Sequence, residues 1–589
     1  MLPRIATIAV LLLACSAPPA DARPALTDPA GRTVRLSDWG EDRLLVVVFL
    51  GVDCPLARLY APELNRLHEE FAGRGVGFLA VFSNAHETRD EVAEFAGELQ
   101  FSAVCDSHQQ LADELAATRT PEVVLLDARR DVIYRGRIDD RYAVGVHLRE
   151  QPTRRDLRLA IDESLGGVPV SVPRTELAGC VISRATTPHA DAEDAVTYSQ
   201  HIAPILDAHC VSCHREGEVG PMPLTSYGEA FAWRETIREV LDSRRMPPWG
   251  ARDGHFANDP SLSEEERKLV FSWLDGGAPE GDPANRPPPP SFASGWSIDP
   301  TVELCAPTFQ VPAEGVLDYQ EFVIDPGFTE DTWVRAIEIR PGNRAVVHHA
   351  TLLMKPKDAV PGMFYYDEMF DAYLALYVPG NTSTRLPPGT AKRIPAGWNL
   401  VLSVHYVPNG SPQTDQSRIA LELCDEPTVQ IATRMVSHPV ELAPGEIKTA
   451  VAESILDADY LLIALYPHMH LRGRSMRLEA IGPSGAAETL LDVPDYDFEW
   501  QHRYVLAQPR VLPAGTKLRC TAVYDNSAAN PRNPDPSAHV KYGPATTDEM
   551  FFGAFELGRP VTRRKVTWPA LAVVGVAGLW TIGRRMRRR

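Results

Sequence analysis

Positive charge is scarce in this 589-residue chain: 59 Lys and Arg against 78 Asp and Glu leave a net charge of −19. No broad basic surface can form outside the extreme C-terminus, which argues against a nucleic-acid partner. CPLA, residues 54–57, lacks a second cysteine, so no local disulfide can close there. The apolar run in MLPRIATIAVLLLACSAPPADARP is too short to span a bilayer, and residues 1–22 read as an export signal.

The chain is too long for one core and predicts several domains. The signal implies an extracytoplasmic protein of the periplasm or cell envelope. LLAC also resembles a lipobox with Cys15 as the lipidated residue, and the two cleavage routes stand as alternatives. Residues 566–582 form an uncharged apolar segment, at ~1.5 Å per residue a short transmembrane helix. The basic cluster GRRMRRR after it places the body outside the cytoplasm, although a sorting tail removed after export would read the same.

Residues 23–178 alternate strand and helix (LLVVVFLGVDCP, LNRLHEEFAGRG, VGFLAVFS, TPEVVLLD), the pattern of an α/β sheet. The segment resembles the thioredoxin-like redoxin family, with Cys54-Pro55 ending the first long strand and Thr120-Pro121 matching the cis-proline loop. Two positions depart from the family. Ala57 replaces the second cysteine of a dithiol enzyme, and Gly51 replaces the threonine three positions before a peroxidatic cysteine. Cys54, at a helix N-terminus, is a candidate redox thiol, with Cys105 to resolve it if the fold joins them. The alternative is a retained scaffold or docking domain. Catalytic disulfide reduction is expected to fail, because a lone thiolate has no neighbour to release a mixed disulfide.

A polar linker, 179–195, contains Cys180. In YSQHIAPILDAHCVSCHREG, Cys210 and Cys213 would share one helix face, suited to two thioether bonds to a haem whose iron His214 ligates. A disulfide or structural zinc pair is the other reading of the two cysteines. Met246 in RRMPPWG is the candidate second axial ligand and Met222 in GPMPL its rival. Ser263 and Glu266 make a capping box, and Gly276-Gly277 a stop. Residues 196–285 thus resemble a small all-α cytochrome c domain binding one covalent haem c. A proline-rich linker, 286–292, would tether it at high effective concentration to the C-terminal half of the chain.

From residue 293 short alternating strands and Gly/Pro turns predict two all-β sandwiches, 293–430 and 431–560. AVVHHATLLM, LVLSVHYVPNG, YPHMHLRG and TTDEMFF lie along them in order. Residues i and i+2 of a strand share a face, so His468 and His470 present two imidazoles together; alone, such a triplet also fits a solvated strand face. The four motifs resemble the copper type II, ascorbate-dependent monooxygenases, the family of peptidylglycine α-hydroxylating monooxygenase and dopamine β-hydroxylase. That resemblance implies two jelly-roll-like domains holding two copper ions. His348, His349 and His405 would bind the first, and the catalytic His468, His470 and Met550 the second. Three imidazoles suit an electron-passing copper, and a thioether stabilises copper(I). Adjacent strand residues face opposite ways, so His348 and His349 can share a metal only at a bulge or strand end.

Where the peptide-amidating members bind a carboxylate, this chain has Tyr466, Phe552 and Ala554, favouring an uncharged aromatic or aliphatic substrate. Ala350 follows the paired histidines, and Phe551 replaces the family's cysteine, leaving Cys520 without that partner; pairing of Cys180, Cys305, Cys424 and Cys520 is open. The expectation is an exported, membrane-tethered copper monooxygenase that hydroxylates a small molecule with O2. The haem would relay electrons from a periplasmic cytochrome, a quinol-linked donor or an ascorbate-like reductant. The alternatives are a non-catalytic haem and copper protein of the envelope, or a thiol redox protein centred on Cys54.

Overall fold

The computed structural model describes residues 25–561 except 41–42, 144–145, 148–150, 185–194, 221, 253, 255, 293–294, 316, 359–371 and 382. The export signal, Cys15, much of the expected linker and the 566–582 segment lie outside the described residues. Among the described residues no helix is long and apolar enough to cross a membrane. The chain divides into two compact units, Met1–Asp140 with Pro152–Ala185, and Arg141–Gln151 with Thr186–Arg589.

The first unit is built on a seven-stranded mixed sheet. Leu44–Leu50 and Val76–Phe82 run parallel at its centre, and every residue in both is buried. Their unbroken apolar sequence is what a strand covered on both faces requires. Ser102–Cys105 extends the parallel part, and Glu122–Leu126 pairs antiparallel on the other side. Pro55–Phe71 forms the long helix after the first central strand, with Cys54 as its N-cap. The Thr120–Pro121 bond is cis, as the motif predicts.

The expected linker begins differently. Cys180–Val181 is a strand paired antiparallel with Arg119–Thr120, and Ile182 is fully buried in this unit's core. A two-residue strand leaves no periodic trace, so its polar surroundings read as a connection.

The second unit opens with four short helices, Ala203–His209, Tyr227–Ala232, Arg234–Asp242 and Glu264–Asp275. The Ser263/Glu266 capping box forms, and the last helix ends at Gly276. Two β-sandwiches come next. Four strands, Gln320–Ile324, Trp398–Tyr406, Val347–Pro356 and Tyr373–Tyr377, make one sheet of the first sandwich. Ile447–Ile455, Lys517–Asp525, Gly473–Ile481 and Ala487–Val493 make the corresponding sheet of the second.

The opposing layers belong to a single nine-stranded sheet. A short parallel pairing, Thr390 with Val429 and Ala391 with Gln430, joins its halves. The sandwiches therefore share a backbone layer. A buried ion cluster reinforces this seam: Glu556 accepts from Lys392 at 3.0 Å and from Arg503 at 2.6 Å.

The helical module packs directly on the second sandwich. Trp249 lies 4.6 Å from Tyr504 between ring centres, and Phe256 lies 5.4 Å from the same ring. Ala257 N donates to Val505 O, and Asn258 bonds Arg503 O and Val505 N, so backbone as well as aromatic surface is joined. Against the first sandwich, Arg344 pairs with Glu218. Gly380 meets Cys213 there, where an added Cβ would fall 3.0 Å from the cysteine sulfur.

Candidate metal centres and thiol site

His349 and His405 face each other across adjacent antiparallel strands. The register slips between Val347 and His349, leaving His348 as the extra residue of a bulge. That irregularity lets two consecutive histidines turn to one point. One ring nitrogen from each of His348, His349 and His405 lies within 4.8 Å of the other two. The Nδ1 atoms of His348 and His349 approach to 2.9 Å. Their Nε2 atoms are held outside, His348 by the Glu499 carboxylate at 2.6 Å and His349 by the Tyr319 hydroxyl at 2.8 Å. Inner nitrogens converging while outer ones are anchored is the arrangement of a metal-binding imidazole set.

Burial, then the positive fields of His405 and His348, drive the His349 pKa far down, so it is a neutral donor. Burial also acts on His348, but the adjacent Glu499 outweighs it and the net shift is upward.

His468 ends the strand Tyr460–His468, and His470 sits beyond it on the loop. Here the opposite nitrogens are anchored. His468 Nδ1 meets Gln501 Oε1 at 2.6 Å, and His470 Nδ1 meets the Asp548 carbonyl at 3.2 Å. Burial lowers the pKa to about 4 for His468 and about 3 for His470. Met550 lies two residues before Phe552, the register partner of His468, and is 9% exposed. Glu549 accepts from the backbone N–H of His470 and of Arg472, fastening the methionine's loop to the histidines' loop.

One ring stands between the two sets. Phe498 lies 6.1 Å from His349, 5.9 Å from His405 and 5.8 Å from His470. Tyr466 and Phe552 stack on the faces of His468 at 6.2 and 5.8 Å, so the surroundings of the second pair carry aromatic surface. Sequence reasoning does not find Tyr319, Phe498, Glu499 or Gln501. DFEWQ has no strand period, and only the folded histidines give it meaning.

Cys210 and Cys213 do not lie on the helix, which stops at His209. A hydrogen-bonded turn continues it, with His214 N donating to Cys210 O, and keeps the two cysteines one turn apart. His214 Nδ1 bonds the Met222 carbonyl at 3.0 Å, which orients the ring and puts the Met222 backbone behind it. Nε2 is the other ring nitrogen, so Cys210, Cys213 and His214 fit the attachment of a haem, which they would hold if it is bound.

Cys305 pairs in register with Arg418, and Cys424 lies six residues further along that strand, ~20 Å away. Cys520 is buried in the second sandwich. These three do not meet. Cys54 is 1% exposed and its sulfur donates to Thr120 O at 2.9 Å. Cys105 is two strands over from the strand that leads to Cys54. The thiol that meets Cys54 is Cys180, so the expectation of a thiolate without a neighbour is corrected.

The sheet order, the cis-proline loop and the cysteine at the helix N-terminus define a thioredoxin-like redoxin domain. Residues 17–135 match the AhpC/TSA family. Among solved structures, the chain is similar to a hypothetical protein from Sinorhizobium meliloti 1021 at 27% identity, over 29% of this chain and 94% of that one, with a TM-score of 0.27. An uncharacterized conserved protein from Geobacillus kaustophilus shares 29% identity over 30% and 96%, with a TM-score of 0.26. A putative thiol:disulfide interchange protein DsbE from Chlorobium tepidum shares 22% over 20% and 85%, with a TM-score of 0.18. No curated protein matches the chain.

Proposed function

We propose that the chain is an exported copper-dependent monooxygenase that hydroxylates a C–H bond of an uncharged small molecule with O2. The observation that carries the reading is the trio His348, His349 and His405, one ring nitrogen of each within 4.8 Å of the others, with the Nδ1 atoms of His348 and His349 converging and their Nε2 atoms anchored. Copper held by this trio, and by His468, His470 and Met550, would supply electron storage and dioxygen activation. Haem c, which Cys210, Cys213 and His214 would hold and for which Met246 is the candidate further ligand, would supply the electrons.

The protein's own part is positional. Glu499 and Tyr319 hold the first imidazoles, Gln501 and the Asp548 carbonyl hold the second pair, and Phe498 separates them. Tyr466 and Phe552, both uncharged, make an aromatic wall beside His468.

Purified protein is expected to hold two coppers and one covalent haem, and to consume O2 with an aromatic or aliphatic substrate in a manner abolished by His470→Ala. Zinc at full occupancy, with no O2 uptake, would instead support a non-catalytic metal protein of the envelope. A second reading is favoured by the AhpC/TSA match: thiol redox chemistry at Cys54, which would proceed in metal-free protein.

A further inference from the structure

We propose that Cys54 and Cys180 form a two-cysteine disulfide-reducing site, in which Cys180 receives the incoming disulfide and Cys54 resolves it. This rests on the thiol reading above and is independent of copper.

The approach of the two thiols is built into the backbone. Cys180 pairs with Thr120 in an antiparallel bridge, and Cys54 Sγ donates to the carbonyl of that same Thr120. Gly179 makes the bridge possible: its φ is +132°, and an added Cβ would collide with Thr120 O. Arg119 donates to Gly179 O at 2.8 Å and Ser183 N to Asn84 Oδ1 at 2.9 Å, fixing the segment on both sides of Cys180.

Exposure decides the order of attack. Cys54 is buried and Cys180 is partly exposed, so an external sulfur reaches Cys180 first. Cys54 is suited to the second step. It caps a 17-residue helix, and the buried Thr120 hydroxyl stands beside it. Burial would raise its pKa, but hydrogen bonds from Cys180, Thr120 and Ala57 outweigh that and bring it down to about 6.

Cys180, its proton passed to the adjacent Cys54 thiolate, attacks one sulfur of RSSR, forming a Cys180–SR bond and releasing RS⁻, which takes that proton and leaves Cys54 a thiolate again. The Cys54 thiolate then attacks Cys180 Sγ; the Cys54–Cys180 bond forms and the second RS⁻ leaves and is protonated. Two cysteine thiols lose two electrons and two protons, and the disulfide becomes two thiols. A peroxide is the poorer substrate. At Gly51 an added Cβ would sit 2.8 Å from Asn84 Nδ2 and 3.0 Å from Thr120 Oγ1, leaving no room for an activating hydroxyl side chain.

The test treats the full chain with oxidised glutathione or hydrogen peroxide, then maps cysteines by alkylation and peptide mass. Wild type should form a Cys54–Cys180 disulfide with glutathione, Cys54→Ser should accumulate glutathione on Cys180, and Cys180→Ser should leave Cys54 at least tenfold slower to react. Glutathione trapped on Cys54 in Cys180→Ser at the wild-type rate would overturn the order. A Cys54–Cys105 bond would overturn the role of Cys180 alone. If peroxide oxidises Cys54 faster than glutathione oxidises the pair, the substrate class is wrong. Inertness of both thiols in wild type, which needs no variant to fold, would sink the thiol reading itself.

Discussion

The two histidine sets solve one problem with opposite nitrogens. In the first sandwich Nδ1 atoms turn inward and Nε2 atoms are tied to Glu499 and Tyr319; in the second, Nδ1 atoms are tied to Gln501 and the Asp548 carbonyl. The first set has a carboxylate against one imidazole, whereas the anchors on the second are neutral oxygens. An anionic anchor raises donor basicity and favours the more highly charged metal state, while neutral anchors with a thioether favour the lower one. Under the proposed copper reading, the two sets would therefore take distinct redox roles.

The largest effect expected on this contrast is loss of a whole site. His349→Ala and His470→Ala should each remove one of two copper equivalents, read by metal analysis of the folded protein. Removal of both by either change would break the contrast.

Next is the seam the sites share. Glu556→Gln leaves Arg503 and Lys392 without their buried carboxylate and should cost about 3–5 kcal/mol in urea unfolding at neutral pH. Burial opposes ionisation of Glu556, but Arg503 and Lys392 win and lower its pKa to about 2. A depressed carboxylate contributes stability above its unfolded pKa, ~4.3, and loses it as pH falls toward 2. The acid-dependent part should thus be present in wild type and missing in Glu556→Gln.

The smallest effects should separate the anchors. Glu499→Gln should weaken copper binding roughly 10–100-fold at the first set only, by chelator competition. Gln501→Leu should weaken both sets, because Gln501 bonds His468 and also Tyr319, which holds His349. Equal responses to the two changes would count against separate anchoring.

Much of this is legible where the signal is local. The buried central strands declare themselves by unbroken apolar sequence, whereas the two-residue strand period expected to pair His468 with His470 stops at His468, and a loop brings His470 round to it. The sequence also poses the problem of His348 and His349, to which the slip after Val347 is the answer. Illegible are contributions from distant segments: Glu499 and Gln501 from an aperiodic loop, Cys180 from a two-residue strand, and the two-residue parallel pairing that makes one sheet of two halves. Such pairings are specified by tertiary fit, which leaves no pattern within a short window.

The seating of the helical module on the second sandwich changes what the proline-rich linker is for. With Trp249, Phe256 and Asn258 engaged on Arg503, Tyr504 and Val505, the linker need not act as a leash. These contacts would hold the module in place with the linker cut, as an interface holds a separate subunit. A protease cut within 286–292 should leave the fragments co-eluting, and transfer between them should stay first order and insensitive to solvent viscosity.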